Sequence, residues 1–202
     1  FYMISIRNIK SLVAALVLVL LVCNMQLANA QTPNAQKVYA TKTGQIFFNA
    51  TGGAVPIAAV NNQVDSKFID ATGQIIFGVL VKGFKFENQL MEDHFNENYM
   101  ESDKFPEAKF IGKINESIDW KKDGTYNVTV TGKLNMHGVD KDRTIPGTIS
   151  IKSGVITVAS QFDVACKDHN IQIPSVVTEK IAEFVNVKVS GSYNLYVRPE
   201  KK

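Results

Sequence analysis

Near the C-terminus Val185, Val187, Val189, Tyr193, Leu195 and Val197 alternate with Asn186, Lys188, Ser190, Ser192, Asn194 and Arg198. A period of two over so long a run predicts a half-buried strand, with one face on an apolar interior and the other in water, the habit of antiparallel sheet. Gly191 falls on the apolar series, where a missing side chain leaves room for a bend or a ligand. Further runs of strand character span 37–49, 57–69, 72–86, 108–118, 125–135, 143–151 and 155–164, making eight with the last. Turn chemistry separates several of them: Gly52-Gly53, Asp70-Ala71-Thr72-Gly73, Lys122-Asp123-Gly124 and Ser153-Gly154. Strands spaced this closely predict an all-β fold, an antiparallel meander that closes on itself as an eight-stranded barrel.

Two stretches leave the strand pattern. Glu87–Ser102 places Leu90, Met91, His94, Phe95 and Tyr99 at helical spacing, and Ser175–Phe184 does the same with Val177, Ile181 and Phe184, so one or two short helices are expected. Pro174 precedes Ser175, a suitable N-cap for the second. The 72–86 run is apolar on both faces, with Ile75, Phe77, Val79 and Val81 on one and Ile76 and Leu80 on the other. One face can fill the interior; the other needs a cover, and the segment from Glu87 onward is the nearest candidate.

The first thirty residues belong to a different pattern. Met3 is followed by the basic Arg7 and Lys10, the apolar run from Leu12 to Val22, and Ala28-Asn29-Ala30 before Gln31. A basic start, an apolar middle and small residues flanking Asn29 make a cleavable secretory signal. The apolar run is short of the about 20 residues that span a bilayer. Residues 1–30 are therefore read as a leader, and 31–202 as one domain that is exported to the periplasm or secreted. Cys23 follows Val22 where a lipid-attachment motif wants a small residue, so acylation is not inferred.

The leader holds two basic residues and no acid, so of the chain's 22 Lys+Arg and 19 Asp+Glu the domain keeps a near balance. That balance argues against a nucleic-acid binder, which needs a basic stripe to neutralise phosphates. Cys166 is the one cysteine left after cleavage, so no internal disulfide forms and the fold rests on its core.

Three segments carry more specific information. His94–Phe110 ends in Phe105-Pro106-Glu107-Ala108-Lys109-Phe110, a short helix leading through an aromatic-proline step into a strand. Gly132-Lys133-Leu134-Asn135-Met136-His137-Gly138-Val139, then basic residues and Thr144-Ile145-Pro146, reads as a strand, a His-Gly turn and the next strand. Phe162-Asp163-Val164 is followed by Asp168, Ile171 and Pro174 and then the final alternating strand. In these segments, and in order and spacing over nearly all of 38–197, the chain resembles the YceI-like family of lipid- and polyisoprenoid-binding proteins. The resemblance implies an extended lipocalin-like barrel with an apolar tunnel for one long isoprenoid tail of quinone or polyprenyl type. Many relatives carry histidines in the first strands, whereas this chain has Lys42-Thr43-Gly44 and Asn49-Ala50, so no head-group role is carried over to those positions.

An eight-stranded barrel has an interior that side chains fill or that holds one slender ligand. Alternation assigns Ile75, Phe77, Val79 and Val81, and Val185, Val187, Val189, Tyr193 and Leu195, to the tunnel; Phe110 and Leu134 join them from the family-like segments. His94, His137 and His169 are not at metal-ligand spacing, so no metal is expected. His137 is read as fixing the turn at Gly138, with His94 and His137 the candidates for a head-group contact. No Ser-His-acid motif, nucleophile elbow or phosphate-binding glycine loop is present, and together with the barrel pattern the resemblance implies a non-enzymatic carrier needing no cofactor, touching membranes transiently to exchange its isoprenoid lipid. The alternatives are an enzyme acting on such a lipid, with His94, His137 or Asp163 as acid or base, and a fully packed interaction module.

Overall fold

The computed structural model describes residues 36–50, 56–173 and 184–197. The expected leader, the Gly52-Gly53 turn and all but the last residue of the helix expected over Ser175–Phe184 lie outside them. Phe184 is described and opens a strand instead.

Eight long antiparallel strands form the wall: β1 (Val38–Ala50), β2 (Ile57–Ile69), β3 (Gln74–Leu80), β5 (Glu107–Ile114), β6 (Gly124–Met136), β7 (Val139–Lys152), β8 (Val155–Ala165) and β9 (Phe184–Leu195). A two-residue strand, β4 (Lys85–Phe86), completes the set. Their order is β1-β9-β8-β7-β6-β5-β3-β2, and β1 pairs with β2 as well, so the sheet closes into a barrel. The expected 72–86 strand is broken by a 3-10 turn at Val81–Gly83. Its last part re-pairs as β4 with Ala59 and Val60 of β2, beyond the reach of β3.

Local chemistry explains the tight connections. His137 and Gly138 (φ 52 and 71), and Ser153 and Gly154 (φ 50 and 81), give two-residue turns with both central residues left-handed. That is the hairpin turn whose twist matches its strands, and β6–β7 therefore pairs without a break from Gly124↔Ile151 to Met136↔Val139. Gly138 is also pressed from outside, because a Cβ there would come within 2.5 Å of the Phe105 ring.

One end of the barrel is filled. Phe68, Ile75, Phe110, Ile114, Val128, Ile149, Ile151, Ile156 and Tyr193 pack there as a buried cluster. Phe68 is its hub, stacked between Tyr39 and Trp120 at 4.9 Å from each, with Tyr193 edge-on at 5.2 Å. Trp120 reaches this position because β5 stops at Ile114, short of the expected 118, and the following loop folds over the barrel end. There its indole N–H donates to the Asp70 carbonyl.

Tyr193 shows how a polar atom is accommodated in this plug. Its hydroxyl donates to Ser66 Oγ at 2.7 Å, and Ser66 Oγ donates to the Ile76 carbonyl at 2.8 Å. Burial pushes the phenol up to about 12, so it stays a donor throughout the ordinary pH range. Tyr193→Phe is expected to cost about 1–2 kcal/mol of unfolding free energy by urea denaturation, because the buried Ser66 oxygen loses its donor. An unchanged midpoint would show the pair to be dispensable.

The opposite end is covered by α1 (Gln89–His94), which continues as a π-helical turn over Phe95–Tyr99. Asn88 caps α1, its side-chain oxygen accepting the Met91 N–H. This segment covers the barrel end and not the outer face of β3, contrary to the sequence expectation. Ile76 and Leu80 stay 43% and 63% exposed, and Ile76 instead pairs across the strands with the exposed Ile111.

Candidate functional site

Between the packed plug and α1 the barrel is hollow. The cavity is about 340 Å³, near the lower bound of the roughly 300–1,000 Å³ usual for small-molecule sites. Every long strand contributes to its wall, and nearly all of the contributed atoms are hydrocarbon.

Nine of the eleven residues assigned to the tunnel border this space: Ile75, Phe77, Val79 and Val81 from the β3 segment, Phe110 and Leu134 from β5 and β6, and Val185, Val187 and Val189 from β9. Tyr193 and Leu195 do not. Tyr193 faces inward but belongs to the plug, and Leu195 is 52% exposed beyond it. The inward series of β9 thus passes from cavity to floor to rim. Gly191 marks the passage, since a Cβ there would meet the Tyr193 ring at 3.4 Å and approach Gly44 of β1, so its space serves packing and not a ligand.

Alternation along β6, β7 and β8 brings further wall residues that the sequence reading did not select: Val128, Val130, Ile145, Ile149, Phe162 and Val164. Their signal was present as inward-series positions in runs already identified as strands. Toward α1 the wall becomes aromatic. Phe48 lies 5.3, 5.8 and 5.6 Å from Phe84, Phe86 and Phe95, and Phe86 and Phe95 are 5.0 Å apart. None of these four is among the tunnel positions expected from the sequence: Phe84, Phe86 and Phe95 lie past the end of β3, and β1 bulges between Thr41 and Ile46, which breaks the alternation leading to Phe48.

The polar candidates do not converge in the cavity. His94 borders it from the exposed side of α1. His137 is in the β6–β7 turn and absent from the wall. Its Nδ1–H donates to the His169 carbonyl at 3.0 Å, and its Nε2 lies 2.9 Å from a Glu101 carboxylate oxygen. Asp163 accepts a hydrogen bond from Asn186 Nδ2 on the exposed side of β8. Cys166 does border the cavity, but burial pushes its thiol up and keeps it protonated, the unreactive form. Among the described residues no group of three His, Cys, Asp or Glu side chains could hold a metal ion.

His169 is fully buried in the 3-10 turn Cys166–His169. Its Nδ1–H donates to the Val139 carbonyl at 3.1 Å and the Met136 carbonyl at 3.3 Å, pinning that turn to the β6–β7 hairpin, while Nε2 is buried without a partner. Burial pushes its pKa below the ordinary 6.5, and the nearby charge of Arg143 acts in the same direction against the opposing pull of these carbonyls. The folded state therefore resists protonation that the unfolded chain accepts. Stability from this residue is present in full above about pH 6.5 and falls as the pH drops through that value. Urea midpoints measured from about pH 7 to 5 are expected to decline, and His169→Gln to flatten that decline. A variant profile parallel to the wild type would place the acid sensitivity elsewhere.

A model of the YceI-like domain family matches residues 31–193. No curated protein matches the chain. Among solved structures, BcnA of Burkholderia cenocepacia superposes with a TM-score of 0.63 at 18% identity, covering 75% of this chain and 96% of that one. A polyisoprenoid-binding domain from Saccharophagus degradans, implicated in plant cell wall breakdown, gives 0.67 at 12% identity over 79% and 98%. A YceI protein of Campylobacter jejuni gives 0.52 at 17% identity over 75% and 85%. At these identities the superpositions speak to the fold.

Proposed function

The chain belongs to the YceI-like domain family, and from that membership we propose that it is an exported, non-enzymatic carrier that holds a polyisoprenoid of quinone or polyprenyl type in the barrel. The carrying observation is the hollow half of the barrel, a hydrocarbon-lined cavity closed at one end by the Phe68 plug. Such a space has nothing to offer a polar substrate. Each methylene moved into it from water contributes about 0.8 kcal/mol, less the cost of ordering the tail. The Saccharophagus degradans neighbour, described as polyisoprenoid-binding, has the same fold. A cavity of this size takes part of a long tail, and the remainder leaves past the aromatic end of the wall at Phe48, Phe86 and Phe95.

The separation of His94, His137 and Asp163 supports the non-enzymatic reading, since an acid-base mechanism needs such groups within reach of one reacting atom. Export is proposed from the leader expected over residues 1–30, and a family match that begins at residue 31 supports that boundary. Leu80, Leu90 and Phe184 are exposed where β3 ends, α1 covers the barrel and β9 begins, and they would serve a brief membrane contact during exchange.

Organic extraction of the protein purified from its own host, followed by mass spectrometry, is expected to release an isoprenoid lipid. Intact mass should show a chain beginning at Gln31. A barrel that is consistently empty and takes up no isoprenoid on incubation would end this reading.

A further inference from the structure

The barrel wall has a split. β7 and β8 pair only from Lys152↔Val155 to Gly147↔Ser160. Beyond that point β7 continues to Val139 bonded to β6 alone, and β8 continues to Ala165 bonded to β9 alone. Pro146 stands where the ladder stops and has no N–H to extend it. Side chains bridge the gap instead. Ser160 Oγ donates to the Pro146 carbonyl, and the Arg143 guanidinium donates to the Asp163 carbonyl while lying 6.0 Å over the Phe162 ring. The wall is thin here: Pro146, Gly147 and Ser160 border both the inner cavity and a groove on the outer surface.

Arg143 is an unusual occupant of this position. It shares the inward-facing series of β7 with Ile145, Gly147 and Ile149, is half-buried, and has the cavity-lining Ile145 and Phe162 beside it. A guanidinium carries five N–H donors, and among the described residues it makes one hydrogen bond, to a neutral carbonyl, and no salt bridge. A half-buried cation against a hydrocarbon wall is poorly compensated until an anion meets it.

We propose that the β7–β8 split is a head-group subsite in which Arg143 receives the anionic end, carboxylate or phosphate, of a single-chain amphiphile whose tail lies in the cavity. This rests on the cavity being a lipid site. It assigns the specificity for charge to one side chain and a sideways exit to the head.

Calorimetric titration with decanol, decanoate and decyl phosphate separates the parts. The wild-type protein is expected to bind at least one anion about tenfold or more tighter than decanol, the scale of a charge-assisted hydrogen bond. The preference between the two anions identifies the head group. Arg143→Met should bring the anions down to the affinity of decanol and leave decanol itself unchanged, while Arg143→Lys retains part of the preference. Unchanged decanol binding also certifies that the variant is folded. Wild-type protein that binds decanol as tightly as both anions overturns the subsite alone, as does equal loss of all three ligands in Arg143→Met with Arg143→Lys unaffected. Wild-type protein that binds none of them overturns the subsite together with the carrier reading.

Discussion

Val189→Trp is expected to reduce uptake of an apolar tail by about thirtyfold while leaving the barrel folded. Val189 borders the hollow half of the barrel, paired on one side with Ile46 of β1 and on the other with Ser160 of β8. An indole there projects into empty space, where it displaces ligand before it displaces protein. Room lost for two or three methylenes, at about 0.8 kcal/mol each, amounts to roughly 2 kcal/mol of binding. Overpacking in a filled core would cost about 1–3 kcal/mol of stability, and facing a void this substitution should cost less. Lys188→Ala is the matched control, because Lys188 is the adjacent residue on the water-facing series of the same strand. Isotherms with a short isoprenoid alcohol, read beside thermal melts, decide the matter. Equal loss in the two variants would mean that the faces of β9 are reversed.

The faces were legible because the period of two is a local property of the strand. In β3 and β9 it identified the inward residues without knowledge of the partners. What it does not encode is depth along the barrel axis. Val187 and Tyr193 lie on one face and differ only in level, yet one borders a cavity and the other fills the plug. Level is set by closure, by which strand pairs with which and in what register, and so depends on the whole sheet.

The same limit explains the other departures. Ile76 and Leu80 form an apolar outer series that suggested a covering helix, but α1 is carried to the barrel end by the 3-10 turn at Val81–Gly83 and by β4. Trp120 stands in a polar loop with no periodic neighbours, and its place on Phe68 depends on the end of β5. Arg143 stands in sequence among the basic residues after the His137-Gly138 turn. Only the missing β7–β8 ladder turns it into a bridge across the wall.

The largest effect on stability is expected at Phe68. Its ring is buried to 1% exposure and touches three other aromatic rings, so it ties β1, β9 and the loop after β5 to β2. Phe68→Ala removes the ring from a region already close-packed on all sides. The cost is the lost transfer energy plus the cavity left behind, about 3–5 kcal/mol. Against the roughly 5–15 kcal/mol of an ordinary domain this approaches the whole margin, and the melting temperature should fall by about 10 °C or more. Phe86→Ala provides the contrast. That ring is half-buried and borders the cavity, so fewer of its contacts are with protein and its removal mainly enlarges existing empty space. Its expected cost is about half that of Phe68→Ala, on the rule that the penalty follows the packing lost. Urea denaturation of both variants measures the difference. A Phe68→Ala loss no greater than that of Phe86→Ala would show that the two ends of the barrel are equally loose, and the division into a rigid plug and a hollow receptacle would fail with it.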